Sequence, residues 1–129
     1  MKLGFIGLGI MGAPMAGHLR AAGHDLFVAT RSAVPPALLH AGAQRCANGA
    51  EVARRADIVF LMLPDTPDVD TVLFGADGVA AGLAAGKTVV DMSSISPTAT
   101  KAFAQKINAL GCDYLDAPVS GGEVGAKAA

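Results

Sequence analysis

The chain has 129 residues, of which 52% are hydrophobic, and this is enough for one globular domain with a buried core. Its net charge is only −1, its basic residues are scattered and no apolar run is long enough to span a bilayer, so we expect neither a nucleic-acid partner nor a membrane partner. Aromatic residues make up 5% while glycine occurs 16 times, a composition typical of an α/β protein whose small-residue helices lie close to a sheet.

Short apolar runs alternate along the chain with segments of helical periodicity. The predicted strands are residues 3–6, 26–29, 58–63, 88–91 and 114–115, and the predicted helices are residues 10–22, 35–40, 50–55, 69–74 and 97–110. Asn48 and Ser96 stand before two of these helices and are candidate caps. Because the apolar runs lack strict alternation, we expect strands that are buried on both faces and joined by helical crossovers. The pattern predicts one domain over residues 1–129, with a doubly wound, mainly parallel Rossmann-type sheet.

A glycine-rich turn joins the first predicted strand to the first predicted helix. Its six residues are Gly7, Leu8, Gly9, Ile10, Met11 and Gly12. In this context Gly7 permits a tight turn, Gly9 lets the backbone approach a pyrophosphate, and Gly12 lets the helix pack close to the strand. The turn therefore predicts a dinucleotide site at the positive end of the helix. The alternative is a plain strand-to-helix turn that binds nothing.

The end of the second predicted strand bears on the choice of cofactor. It reads Thr30-Arg31-Ser32 and lacks the carboxylate that would bind the ribose hydroxyls of NAD. Arg31 is instead suited to stack on adenine and to pair with a 2′-phosphate, helped by the hydroxyls of Thr30 and Ser32. We therefore expect NADP(H) to be favoured over NAD(H). A solvated loop arginine without a ligand is the alternative.

Two further loops follow predicted strands and are expected at the same edge of the sheet. Leu63 and Pro64 open a loop that its prolines stiffen and that is expected to lie against the cofactor. Ser94 follows the next strand, where its hydroxyl is suited to hydrogen-bond either nicotinamide or substrate. Taken alone, each loop is explained equally well by ordinary turn chemistry.

A small-residue loop follows the last predicted strand. Ser120, Gly121 and Gly122 leave successive backbone amides free to point into one concavity, which suits a carboxylate ligand. A flexible loop without a ligand explains the same residues.

Cysteines and histidines are few. Cys46 and Cys112 are far apart in the sequence and no metal-binding spacing is present, so we expect reduced thiols, no metal and, without a signal sequence, a cytoplasmic location. The three histidines, His18, His24 and His40, are expected at the surface, outside any catalytic role.

Together these motifs resemble the β-hydroxyacid dehydrogenase family, which includes the 3-hydroxyisobutyrate dehydrogenases. The resemblance rests on residues 5–15, 62–64, 91–97 and 116–123, which occur in the family's order and cover the whole chain. It implies an oxidoreductase that reduces a small carboxylate-bearing aldehyde with NAD(P)H. The sequences of the motifs are most similar to those of the branch that acts on a 2-hydroxy-3-oxo acid. Glyoxylate, succinic semialdehyde and 3-hydroxyisobutyrate remain alternative substrates.

The resemblance also implies a role for each candidate residue. Cofactor positions are Gly7, Leu8, Gly9, Ile10, Met11, Gly12, Thr30, Arg31, Ser32, Leu63, Pro64 and Ser94, and substrate positions are Ser94, Ser120, Gly121 and Gly122.

Family members carry their general-acid lysine on a second, all-helical domain, which the resemblance places beyond Ala129. Lys127 is not that lysine, because it falls where the resemblance predicts a variable position. We therefore expect a chain truncated before the second domain, with an incomplete last strand, no catalytic residue of its own and a tendency to form homo-oligomers. The alternative is a dinucleotide-binding module without turnover.

Overall fold

Six strands form one parallel sheet in the computed structural model, which describes residues 1–128. They are β1 (Lys2–Ile6), β2 (Asp25–Ala29), β3 (Gln44–Arg45), β4 (Ile58–Leu61), β5 (Thr88–Asp91) and β6 (Asp113–Asp116). Their order across the sheet is β3-β2-β1-β4-β5-β6, and every neighbouring pair is parallel. The chain thus winds outward in both directions from β1 and β4, which confirms the predicted doubly wound topology.

Helical segments connect and follow the strands. They are α1 (Gly12–Ala21), α2 (Pro36–His40), α3 (Gly49–Arg55), α4 (Thr66–Phe74), α5 (Val79–Gly82), α6 (Pro97–Asn108) and α7 (Gly122–Ala128). Both predicted caps are confirmed, since the side chain of Asn48 accepts a hydrogen bond from the amide of Glu51 and that of Ser96 accepts one from the amide of Ala99. None of the helices in residues 1–128 is long and apolar enough to cross a membrane.

The last residue of the chain, Ala129, lies outside the described residues. The general-acid lysine that the resemblance places beyond Ala129 is likewise outside them. The expectations of a truncated chain, an incomplete last strand and no catalytic residue within residues 1–129 therefore stay predictions.

The core has two parts, because alternate residues of each central strand point to opposite faces of the sheet. Leu26 and Val28 belong to the cluster that also holds Ala16 of α1 and Leu38 of α2. Phe27 and Ala29 belong to the other cluster, which is packed by residues of α3, α4, α5 and α6. The central strands are therefore buried on both faces, as their continuous apolar runs predict.

Several element boundaries differ from the sequence prediction. Helix α1 begins two residues later, at Gly12, and helix α4 begins three residues earlier, at Thr66, where the side chain of Asp65 caps it. Much of the expected proline-stiffened loop is thus the first turn of α4. Strand β4 ends at Leu61, two residues earlier than predicted, and the amide of Leu63 donates a hydrogen bond to the hydroxyl of Ser93. Strand β3 and helices α5 and α7 were not predicted.

Helix α7 packs against α1, and this contact makes the surface prediction for His18 wrong. The Nε2 atom of His18 lies 2.8 Å from the carbonyl oxygen of Ala126 and 3.1 Å from that of Lys127. His18 is half-buried as a result, while Ala126 is buried. The residues after the small-residue loop therefore return to the first crossover helix.

Candidate functional site

The glycine-rich turn lies at the carboxyl end of β1, where two of its glycines are required by the packing of the chain itself. Gly7 has a φ of +98°, and a Cβ there would collide with the carbonyl of Met62. A Cβ on Gly12 would collide with the carbonyl oxygen of Gly7 and crowd the ring of Phe5. Both glycines are thus explained by the close approach of turn, helix and neighbouring strand.

Gly9 is different, because the fold does not require a glycine there. Apart from Gly9 and its chain neighbours Leu8 and Ile10, no atom of the described chain lies within 4 Å of the place that a Cβ on Gly9 would occupy, and Gly9 is exposed. The open space in front of this backbone is the feature that fits a pyrophosphate lying against the turn. A plain strand-to-helix turn would give no reason for a glycine at this position.

The three other residues of the turn have different surroundings. The side chain of Leu8 is buried in the core, so only its backbone is available to a ligand. Ile10 is 71% exposed, and Met11 is the residue before α1 but makes no side-chain capping hydrogen bond. Any contribution of this turn to anion binding would therefore come from backbone amides rather than from side chains.

A cleft of about 300 Å³ opens beside the turn at the carboxyl edge of the sheet. The structure brings four of the predicted residues to this cleft: Gly7, Thr30, Arg31 and Leu63. It adds residues that are not among the predicted cofactor contacts, such as Asn48, Asp68 and Thr71. The cleft thus runs from the glycine turn to the end of β2, the path expected for the adenosine half of a dinucleotide.

Arg31 lies at the rim of this cleft but is not free. Its Nη2 atom lies 3.1 Å from Oδ1 of Asp68, in the first turn of α4. The side chain of Arg31 is 82% exposed and that of Asp68 is 25% exposed. Nearby, the hydroxyl oxygens of Thr30 and Ser32 are 3.4 Å apart. The predicted phosphate-binding arginine is therefore present, and a carboxylate that the sequence prediction missed is its partner.

A buried hydrogen-bond network, formed by Asp91, Ser93 and Tyr114, ties three strand ends together beside the cleft. Asp91 and Ser93 are both 0% exposed. The carboxylate of Asp91 accepts hydrogen bonds from the amide of Ser93 at 2.9 Å and from the hydroxyl of Tyr114 at 2.8 Å, and the Ser93 hydroxyl accepts from the amide of Leu63 at 2.9 Å. The network thus fixes where Leu63 and Ser94 leave the sheet. Burial raises the pKa of the Tyr114 phenol well above its usual value, and the hydrogen bond to Asp91 raises it further.

The remaining candidates lie along the same edge but outside the cleft. Pro64 and Ser94 are exposed residues that follow β4 and β5. Ser120, Gly121 and Gly122 are exposed after β6, and the two glycines have φ values of +95° and +57°. Gly122 is also the first residue of α7, so the loop is shorter than the sequence suggested.

Titratable side chains near this loop offer little for acid or metal chemistry. The Nζ atom of Lys127 lies 2.7 Å from Oε1 of Glu123, one turn earlier in α7. Within residues 1–128 there is no group of three or more His, Cys, Asp or Glu side chains that could hold a metal ion.

Comparison with known proteins gives consistent similarities. Residues 2–129 match the family model described as the NAD binding domain of 6-phosphogluconate dehydrogenase. The chain is 58% identical to the 2-hydroxy-3-oxopropionate reductase of Escherichia coli strain K12, over 98% of this chain and 44% of that protein. The chain therefore spans less than half the length of this curated relative.

Solved structures agree with the sequence match. The 3-hydroxyisobutyrate dehydrogenase of Mycobacterium tuberculosis, solved with L-serine, has a TM-score of 0.90 and 33% identity, over 99% of this chain and 44% of that one. Psf3, solved in complex with NADP+ and 2-OPP, has a TM-score of 0.90 and 32% identity, over 98% of this chain and 45% of that one. Both similarities cover the described sheet and its helices.

Proposed function

This chain belongs to the family of the NAD binding domain of 6-phosphogluconate dehydrogenase, and on that premise we propose that it binds NADP(H) in preference to NAD(H). The proposed pyrophosphate contacts are the backbone amides of Gly7, Leu8, Gly9, Ile10, Met11 and Gly12, and the proposed 2′-phosphate contacts are Thr30, Arg31 and Ser32. Leu63, Pro64 and Ser94 would line the path toward the nicotinamide. The observation that carries the proposal is the cleft that Gly7 of the glycine turn and Arg31 both line, together with the open space at Gly9 in the same turn.

The whole protein would use this cofactor to reduce a small carboxylate-bearing aldehyde, with 2-hydroxy-3-oxopropionate (tartronate semialdehyde) as the first candidate. The 58% identity to the reductase from E. coli supports this substrate over the 3-hydroxyisobutyrate class. Ser94, Ser120, Gly121 and Gly122 are the proposed contacts of the substrate, the last three with its carboxylate. When bound, the nicotinamide supplies the hydride, and the residues of this chain orient the two reactants.

Two measurements test this proposal. Calorimetric titration of the chain with NADPH and NADH is expected to show binding of both, with NADPH the tighter ligand. A full-length version of the protein is expected to oxidise NADPH with 2-hydroxy-3-oxopropionate and to form glycerate. If the full-length protein oxidises NADPH with none of 2-hydroxy-3-oxopropionate, glyoxylate or succinic semialdehyde, the assignment as a reductase is wrong.

A second candidate function is dinucleotide binding without turnover by the chain of 129 residues. The length match favours this second candidate, because the chain spans only 44% of the E. coli reductase. We propose that the proton donor lies beyond Ala129, in the part of the relatives that this chain does not span. Measurable reduction of 2-hydroxy-3-oxopropionate by the present chain alone would contradict this.

We also propose that the chain self-associates through the outer edge of β6. In the described part of the chain β6 pairs with β5 alone, and the side chain of Leu115 in β6 is 55% exposed. Sedimentation is expected to show dimers or larger species whose population rises with concentration, and a monomer at all concentrations would contradict the proposal.

Cys46 and Cys112, both free and buried, support the cytoplasm as the proposed compartment.

A further inference from the structure

Asp68 places a negative charge in the part of the cleft proposed to hold the 2′-phosphate, the group by which NADP(H) differs from NAD(H). It lies in the first turn of α4, lines the same cleft as Thr30 and Arg31, and its carboxylate is 3.1 Å from the Arg31 guanidinium. NADP and NAD differ only by the phosphate on the adenosine ribose. A group that competes for the phosphate contact of Arg31 therefore acts mainly on NADP(H).

We propose that Asp68 is a specificity-determining residue that limits the preference of this site for NADP(H) over NAD(H). The proposal rests on the cofactor site proposed above and adds a residue that is not among the predicted cofactor contacts. The carboxylate of Asp68 occupies a donor of Arg31 that a 2′-phosphate would use. A bound NADP(H) competes with this carboxylate for the guanidinium, whereas a bound NAD(H) carries no 2′-phosphate that would compete.

The different exposure of the Arg31 and Asp68 side chains decides which of them moves when a phosphate binds. Arg31 is 82% exposed and is free to swing, whereas Asp68 is 25% exposed and sits on a helix whose Val69 is fully buried in the core. The Asp68 carboxylate thus stays in the cleft after Arg31 has turned toward the bound phosphate, and the two negative charges repel each other. Competition for Arg31 and residual repulsion both weaken NADP(H) binding and leave NAD(H) binding unchanged.

Helix α4 offers a matched control. Asp70 is two residues from Asp68 on the same helix, is exposed, and does not line the cleft. Asp68→Asn and Asp70→Asn remove the same charge from the same helix with nearly the same side-chain shape, but only the first removes the partner of Arg31. Asp77, which also lines the cleft, is kept unchanged in all variants.

The experiment is calorimetric titration of the unaltered chain and each variant with NADPH and with NADH at one fixed salt concentration. Asp68→Asn is expected to tighten NADPH binding by about three- to tenfold and to change NADH binding by less than about twofold. Asp70→Asn is expected to change both affinities by less than about twofold. In an Arg31→Ala background, the increase in NADPH affinity caused by Asp68→Asn is expected to fall by more than half, because the guanidinium with which Asp68 pairs is absent.

Three results would overturn the proposal. Weaker NADPH binding by Asp68→Asn would mean that the carboxylate holds Arg31 in position for the phosphate. An equal change for both cofactors, or an equal gain from Asp70→Asn, would mean that only net charge matters. If every variant retains its thermal unfolding transition and yet binds neither dinucleotide, the proposed function itself is wrong, and this result is distinct from the other two.

Discussion

The hydroxyl of Tyr114 in β6 donates a hydrogen bond over 2.8 Å to the fully buried carboxylate of Asp91, the last residue of β5. This bond joins β6 to β5 beyond their backbone ladder, at the edge that carries the candidate site. Tyr114→Phe keeps the ring but removes one of the donors to a buried carboxylate. We expect the free energy of unfolding to fall by about 1–3 kcal/mol, measured by urea denaturation.

An exposed hydroxyl outside β6 provides the control for that variant. Thr98 in α6 is exposed, so Thr98→Val, which likewise removes a hydroxyl, is expected to change the free energy of unfolding by no more than about 0.5 kcal/mol. If Tyr114→Phe unfolds at the same urea concentration as the unaltered chain, the hydrogen bond to Asp91 contributes nothing to stability.

The raised pKa of Tyr114 predicts a dependence of stability on alkaline pH. Because the folded chain holds the phenolic proton more tightly than the unfolded chain, this contribution is complete below about pH 10 and is lost as the pH rises above that value. The loss should approach about 1.4 kcal/mol per pH unit until unfolding. Tyr114 is the one tyrosine in the chain and tryptophan is absent, so phenolate absorbance in the near ultraviolet reports this group directly.

We expect that absorbance to appear together with the loss of circular dichroism, not before it. Phenolate absorbance that rises near pH 10 in the still-folded chain, at about the pKa of free tyrosine, would contradict the prediction.

Two substitutions in the glycine turn should separate folding from binding. Gly12→Ala places a Cβ against the carbonyl oxygen of Gly7 and is expected to destabilise the fold by about 1–3 kcal/mol, measured by thermal and urea unfolding. The methyl of Gly9→Ala meets no atom of the described chain beyond its two adjacent residues, so the free energy of unfolding should change by no more than about 0.5 kcal/mol. NADPH binding by Gly9→Ala should nevertheless weaken by about tenfold or more, because the new methyl occupies the space left for the pyrophosphate. Unchanged NADPH affinity in Gly9→Ala would remove the turn from the proposed site.

The cap of α3, whose Asn48 also lines the cleft, gives a test of local stability. Asn48 accepts a hydrogen bond from the amide of Glu51 at 2.9 Å, and the carboxylate of Glu51 accepts one from the amide of Ala47 at 2.6 Å. Asn48→Ala should therefore lower the free energy of unfolding by about 0.5–2 kcal/mol in urea denaturation. Asn48→Asp preserves the acceptor and serves as the control, and equal losses in both variants would argue against the cap.

The fold was largely predictable because its central strands are buried on both faces and so appear in the sequence as continuous apolar runs. The elements that were missed lack such a signal. Strand β3 consists of two exposed residues, Gln44 and Arg45, that pair with β2 at the margin of the sheet. Helix α7 contains two glycines and only one buried residue, Ala126, so nothing in its sequence pattern distinguishes it from a loop.

The candidate site divides in the same way. The glycine turn and Arg31 were found because their residue types follow directly from local backbone and charge requirements. Asp68 was missed because its contact with Arg31 spans 37 residues and depends on how α4 docks against the sheet. The buried role of Asp91 was also missed, since a carboxylate at a strand end usually caps a turn, and only the position of Tyr114 shows otherwise.

Because all six strands run in the same direction, every candidate contact lies on one rim of the sheet. The opposite rim carries the exposed Met1 and the amino ends of the strands. A tether or a fluorescent label attached at Met1 would therefore hold the chain on a sensor surface with its ligand-facing rim toward the solvent. Dinucleotide association and dissociation rates could then be followed directly, without a dye or linker near the glycine turn.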